Sequence, residues 1–255
     1  MPDLDELVQH FHTNGYLILP DVLSPEEVER LRQGVERAFT GPEDGHGSII
    51  RVKMFERGPE FEALIDHPNI IDLIETILGP DCHLIAQNAL LTSYEQGISR
   101  WHADETVRFP VPPGVKLDPR IQMHCFVVNM NHYLCDVDEE VGPTQFIPGS
   151  HRAGRQPGPE DMDGDGNPTY EERGVVNAVG KAGTAVMWHD QMWHRGAPNR
   201  SVNRKRIVQQ GAYGRRFIAQ RFYPFVNYHM PEEIVERANP RRKRLLGVHP
   251  RGAYG

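Results

Sequence analysis

A chain of 255 residues with 38% hydrophobic and 25% charged residues can bury a real core and suits one folded unit. Its net charge of -7 removes the basic face that nucleic-acid binding needs, and no stretch approaches the roughly 18 apolar residues of a membrane span. Cys82, Cys125 and Cys135 match neither a zinc knuckle nor a disulfide framework. With the acidic start M-P-D-L-D-E, which has no apolar signal core, they read as reduced thiols of a cytoplasmic protein.

The first third reads as helical. Leu4, Leu7, Val8 and Phe11 share one face, and Asn14-Gly15 ends that helix. Tyr16 to Leu19 is short and apolar, as a strand would be. Ser24, Pro25 and Glu27 then make a helix start, with cap, first-turn proline and capping-box glutamate, and Val28, Leu31, Val35 and Phe39 continue its apolar stripe. A second amphipathic helix is predicted from Pro68 to Leu78, stopping at Gly79. Beyond Gly79 short apolar runs alternate with Gly, Pro and Asp clusters. Leu84 to Ala89, Ile121 to Met130, Thr184 to Trp188 and Ile207 to Tyr213 are the strand candidates. Strands without intervening helices exclude a parallel α/β sheet and predict a mainly β sandwich or barrel with flanking helices. The basic run Arg241, Arg242, Lys243, Arg244 reads as a solvated helix end.

His102 and Asp104 stand two apart in S-R-W-H-A-D-E, so on an extended strand they share one face. His194, in M-W-H-R-G-A-P-N-R-S, follows a strand-like run and can supply a third ligand. Two imidazoles and one carboxylate leave open positions on a metal, the arrangement of iron(II) oxygenases. With 13 histidines in the chain an H-x-D triplet alone is weak, and its company decides.

That company resembles the phytanoyl-CoA dioxygenase family of 2-oxoglutarate oxygenases. W-H-A-D at Trp101 to Asp104 comes first, then G-P-T-Q-F-I-P-G-S-H at Gly142 to His151. The distal W-H-x-G-x-x-N-x-S pattern follows at Trp193, His194, Gly196, Asn199 and Ser201, and then a basic residue leading a strand to Tyr213. The opening N-G-Y-L-I-L-P-D-V-L-S-P-E-E-V is similar too. The resemblance implies a double-stranded β-helix, a jelly-roll barrel at about 81–230. A helical part at about 1–80 would buttress it and a helical tail would follow, all in a single oxygenase domain. It implies iron(II) on His102, Asp104 and His194, 2-oxoglutarate as co-substrate, and hydroxylation of a small molecule by O2 with release of succinate and CO2. Related halogenases carry a small residue at the carboxylate position, so Asp104 argues for hydroxylation, with desaturation or ring closure as variants of the same chemistry. The rival is a metal-binding or ligand-sensing barrel without turnover.

The co-substrate's distal carboxylate calls for a guanidinium fork. The family's usual position, eleven residues after the distal histidine, holds Lys205. Arg206 has the usual spacing of seven to Tyr213, so an extra residue between Asn199 and Arg204 assigns the role to Arg206, with Lys205 and then Arg204 behind it. Thr144 and Ser150 are hydroxyl donors to 2-oxoglutarate or structural turn residues. Gln122 and His124, on one face of the third strand candidate, can point into the barrel; His189 reads as a surface or supporting group, and Trp101 and Trp193 as packing. Asp161 to Glu172 fits a calcium-loop pattern without flanking helices, and also reads as a flexible insertion or as an acidic lid that favours a basic substrate.

Overall fold

The computed structural model describes residues 3–41, 49–104, 107, 109–112, 114–118, 120–222 and 228–250. α1 (Leu4–Asn14) buries Phe11 and stops where Gly15 turns left-handed at φ 84, its N–H returning to Phe11 O. After β1 (Tyr16–Leu19), α2 (Pro25–Thr40) opens with the expected capping box: Ser24 N–H donates to Glu27 Oε2 at 2.8 Å and Glu27 N–H to Ser24 Oγ at 3.3 Å. β2 (Ile50–Val52), α3 (Pro59–Leu64) and α4 (Ile71–Leu78) follow. The strands then run β3 (His83–Thr92), β4 (Val127–Tyr133), β5 (Thr144–Phe146), β6 (Val176–Ala178), β7 (Ala185–His189), β8 (His194–Gly196) and β9 (Arg206–Gly214), before α5 (Glu232–Arg237) and α6 (Pro240–Leu245).

All pairings between these strands are antiparallel. One sheet has the order β1-β7-β4-β9-β3-β2 and the other β6-β5-β8. Alternation along the strands divides the core. Val128, Met130, Ala185, Met187, Ile207 and Tyr213 pack against the apolar faces of the helices. Tyr133, Val186, Trp188 and Val208 point the other way, onto Phe146 and Ala178 of the small sheet. The result is the expected jelly roll, with its interior between the sheets and the helices outside the larger one.

The strand expected from Ile121 starts only at Val127. Alternation persists ahead of it with the opposite assignment: Met123 and Cys125 are buried, while Gln122 and His124 are exposed and border an outer cavity with Phe109 and Leu117. The helix expected from Pro68 starts at Ile71, and short β2, β5, β6 and β8 escape a periodicity reading because three residues hold no period. The basic run is spent within the molecule. Arg241 pairs with Asp72 and Glu75, Arg242 with Asp66 and Arg244 with Glu75, clamping α6 onto α4 and the turn before it. The three cysteines are free. Among the described residues no helix is long and apolar enough to cross a membrane.

Buried histidines tie this fold to pH. Burial pushes the His132 imidazole down from 6.5 to about 4, against a hydrogen bond to Gln209 that raises it. Burial also lowers His12, His83 and His151. Folded values below the unfolded one mean that the unfolded chain binds more protons between them. These groups therefore cost nothing above pH 6.5 and remove stability as pH falls below it, His132 doing so through about 4. For His132 alone the loss amounts to roughly 3 kcal/mol. Urea unfolding at a series of pH values should show His132→Gln losing less stability than wild type between pH 6.5 and 4. Parallel losses in the two proteins would show that His132 does not carry the effect.

Candidate active site

His102 and His194 are joined by their own backbones: His102 N–H donates to His194 O at 3.0 Å and His194 N–H to His102 O at 2.9 Å. The rings therefore lie side by side, tilted by 45°, with centroids 4.4 Å apart. Asp104, two residues on, is anchored by its N–H to Asp190 O at 3.1 Å. Its Oδ1 lies 3.4 Å from His102 Nε2 and its Oδ2 3.3 Å from His194 Nε2.

The far ring nitrogens settle the tautomers. His102 Nδ1 is 2.8 Å from Arg100 O and His194 Nδ1 2.9 Å from Met192 O, and only an N–H can serve a carbonyl. In the neutral rings both Nε2 lone pairs then face the Asp104 carboxylate. Three acceptors turned on one another repel unless a cation lies among them, so the donor set fits a divalent metal. Protons on the two imidazoles are the alternative to a cation, and they would make the rings donors to the carboxylate. Burial pushes the Asp104 carboxyl up, yet the His194 and His102 imidazoles more than offset that and hold it well below the usual range. The hydrogen bond to Asp104 raises His102.

The triad borders a cavity whose other walls include Asn131, Thr144, Trp188, Gly196, Arg206 and Gln210. Arg206 begins β9 on the inward parity and is only 5% exposed. Its guanidinium touches Ala197 O at 3.4 Å and has no carboxylate partner among the described residues. Burial pushes its pKa down. Gly196 makes room for it, since a Cβ there would stand 3.2 Å from Arg206 Nη2. Gly142 performs the same service for the loop behind. It has φ +80, and a Cβ would meet Ala197 O at 2.4 Å, which is why the G-P-T and W-H-x-G segments can pack together. Thr144 Oγ1 accepts from Asn131 Nδ2 at 3.2 Å, leaving its hydroxyl proton to donate elsewhere.

The other candidates separate cleanly. Lys205 is exposed, and Arg204 is held by Asp138 and Glu140. Ser150 is not among the residues that border the cavity, and its Oγ accepts Trp193 N–H at 2.8 Å, which fits the turn role. His189 is not at the surface but 1% exposed, beside Asp190 and Cys125. In that cluster His189 Nδ1 accepts Gln191 N–H and the Cys125 thiol donates to Val127 O. Trp101 and Trp193 pack, as expected, each under an arginine. The calcium loop does not assemble. Arg155 grips both Asp161 oxygens, and Asp163 Oδ1 accepts the N–H groups of Asp165 and Asn167. No residue of 157–172 borders the triad cavity, which leaves the acidic-lid idea without support. Asn129, Asn131, Trp188 and Gln210 were missed; their signal is strand parity, readable only once β4 is correctly bounded and paired.

Comparison with known proteins agrees with this geometry. The family model described as phytanoyl-CoA dioxygenase (PhyH) matches residues 11–207. A dioxygenase of Aspergillus terreus, trt7, is 24% identical over 95% of this chain and 83% of its own. The L-proline trans-4-hydroxylase of Streptomyces griseoviridis is 26% identical over 81% of this chain and 85% of its own. Among solved structures, HygX of Streptomyces hygroscopicus with nickel, 2-oxoglutarate and hygromycin B bound superposes with a TM-score of 0.67 at 19% identity, over 84% of this chain and 88% of that one. With a match spanning most of its length, the chain belongs to the phytanoyl-CoA dioxygenase (PhyH) family and is a non-haem iron, 2-oxoglutarate-dependent dioxygenase.

Proposed function

We propose that His102, Asp104 and His194 hold iron(II), that Arg206 with Thr144 takes the distal carboxylate of 2-oxoglutarate, and that the enzyme hydroxylates a small-molecule metabolite with O2. The observation that carries this reading is Arg206: a buried guanidinium without a carboxylate partner among the described residues, bordering the same cavity as the triad. A bare buried cation is costly, and a dianionic co-substrate reaching from the triad to the guanidinium removes that cost.

Bound at the triad, iron(II) supplies the activation of O2 that couples oxidative decarboxylation of 2-oxoglutarate, giving succinate and CO2, to oxidation of a substrate carbon. The chain's own part is placement. The guanidinium fork fixes the distal carboxylate and Thr144 donates its free hydroxyl proton beside it. Leu90, Ile98 and Val208 make the apolar walls that keep water from the reacting groups. Asp104 supports hydroxylation over halogenation, because an anionic oxygen occupies the place a halide would need. The name of the proline-hydroxylating relative supports the same outcome and a small substrate. The three free cysteines support a reducing compartment, the cytoplasm.

Anaerobic addition of iron(II) and 2-oxoglutarate should give wild-type enzyme the weak visible charge-transfer band of the chelate. His194→Ala should abolish it. Arg206→Ala should raise the half-saturating 2-oxoglutarate concentration on the order of a hundredfold, and Lys205→Ala should leave it unchanged. Bound iron without a band in wild type, or an effect of Lys205→Ala as large as that of Arg206→Ala, would overturn the corresponding assignment. In the same titration Thr144→Val should weaken 2-oxoglutarate roughly tenfold, the loss of one hydrogen bond to a charged group; an unaltered titration would remove Thr144 from the co-substrate site.

A further inference from the structure

Asp104 is gripped from the side by two donors that the triad alone does not explain. Asn129 Nδ2 donates to Asp104 Oδ2 at 2.7 Å, and Trp188 Nε1 donates to the same oxygen at 3.2 Å. Both donors are deeply buried, Asn129 at 3% exposure and Trp188 at 2%. They are also directly opposed in the sheet, since β4 and β7 pair with Asn129 against Trp188. Side chains of a directly opposed pair stand on the same face about 5 Å apart, so one oxygen can be reached by both.

A carboxylate oxygen has about two lone-pair directions. On Oδ2 the amide and the indole take both of them. Each oxygen has one imidazole nitrogen near it, Oδ1 that of His102 at 3.4 Å and Oδ2 that of His194 at 3.3 Å, but no amide or indole N–H reaches Oδ1 among the described residues. We infer that Asn129 and Trp188 are positioning residues that reserve Asp104 Oδ2 and leave Oδ1 as the metal-binding oxygen, so that the carboxylate binds through one oxygen only. This rests on the iron reading proposed above and adds to it. A carboxylate free to turn would chelate through both oxygens and take up a position that the co-substrate or O2 needs. A carboxylate held through Oδ2 donates from Oδ1 with its direction fixed. Outer partners of this kind typically change metal affinity by about 10–100-fold when removed.

Neither donor ionises, so the effect should not follow pH. Trp188 also packs against Phe146 and His194, with ring centroids 5.8 and 5.2 Å away, and Trp188→Phe keeps an aromatic ring there while deleting only the N–H. That variant separates hydrogen bonding from packing. Asn129→Ala removes the shorter bond.

The test is anaerobic titration of the full chain with Mn(II), following the free-ion electron paramagnetic resonance signal, repeated with iron(II) and 2-oxoglutarate for the visible band. Wild type, Asn129→Ala, Trp188→Phe and His194→Ala are compared, with thermal unfolding of each metal-free protein as the fold control. The expected result is metal binding weakened about 10–100-fold in Asn129→Ala, a smaller loss in Trp188→Phe, and a displaced visible band in both, while metal-free unfolding of Trp188→Phe stays close to wild type. Wild-type affinity and an unmoved band in Trp188→Phe and Asn129→Ala, with binding lost in His194→Ala, would overturn the positioning role and leave the triad standing. No Mn(II) or iron(II) binding by wild type would overturn the triad reading and this inference with it.

Discussion

Along β4, β7 and β9 successive side chains must point to opposite faces of the sheet, and helices packed with apolar side chains close one of those faces. Val128 and Met130 can satisfy the helices only if Asn129 and Asn131 turn inward, and Met187 only if Trp188 does. Arg206, Val208 and Gln210 line the same cavity from β9. A slip of one residue in any of these strands would bury amides and a guanidinium against the helices and turn valine and methionine into the pocket. Such a slip is excluded by the cost of unpaired polar groups in an apolar layer. Packing on the outside thus positions the chemistry on the inside.

The interior so formed is divided by charge. At one end three acceptors face one another; at the other a guanidinium has no carboxylate partner among the described residues. Each end is unfavourable alone, the first by repulsion and the second by desolvation. On the proposed reading a metal ion answers the first and a carboxylate the second, and 2-oxoglutarate would join the two because its keto-acid end is a chelator and its far end a carboxylate. Ligands that bind the folded chain in this way would raise its stability by mass action.

The sequence was most legible where a local rule acts alone. The capping box at Ser24 and the glycine stop at Gly15 need only neighbouring residues and are found as read, and the two-residue spacing of His102 and Asp104 does bring their side chains together. What depends on pairing across the chain was harder. Ile121 to Cys125 has strand-like alternation but pairs with no strand, so Gln122 and His124 face outward. Ser150 sits in a family-like motif, yet the nearest unsatisfied donor is Trp193 N–H and its oxygen goes there. Asp161 has a calcium-loop spacing, but Arg155 lies within reach and neutralises it. In each case a partner distant in sequence, or a register that spacing cannot encode, decided the outcome.

The position of Arg206, the residue proposed for the co-substrate, combines the local and the distant. Counting from His194 selects Lys205, and counting back from Tyr213 selects Arg206; only a loop one residue longer reconciles them. That loop is held at both ends. Asn199 Nδ2 donates to Thr92 O and to Arg204 O, Asn199 Oδ1 accepts Ser201 N–H, and Arg204 is locked by Asp138 and Glu140. An added residue inside such a clamp costs little, because loop closure depends only weakly on length. Past Arg204 the register is imposed by Thr92 opposite Arg206 and Leu91 opposite Ile207, and parity then sends Arg206 inward and Lys205 out. The strand, which cannot slip, determines which residue meets the ligand; the loop, which can lengthen, absorbs the difference.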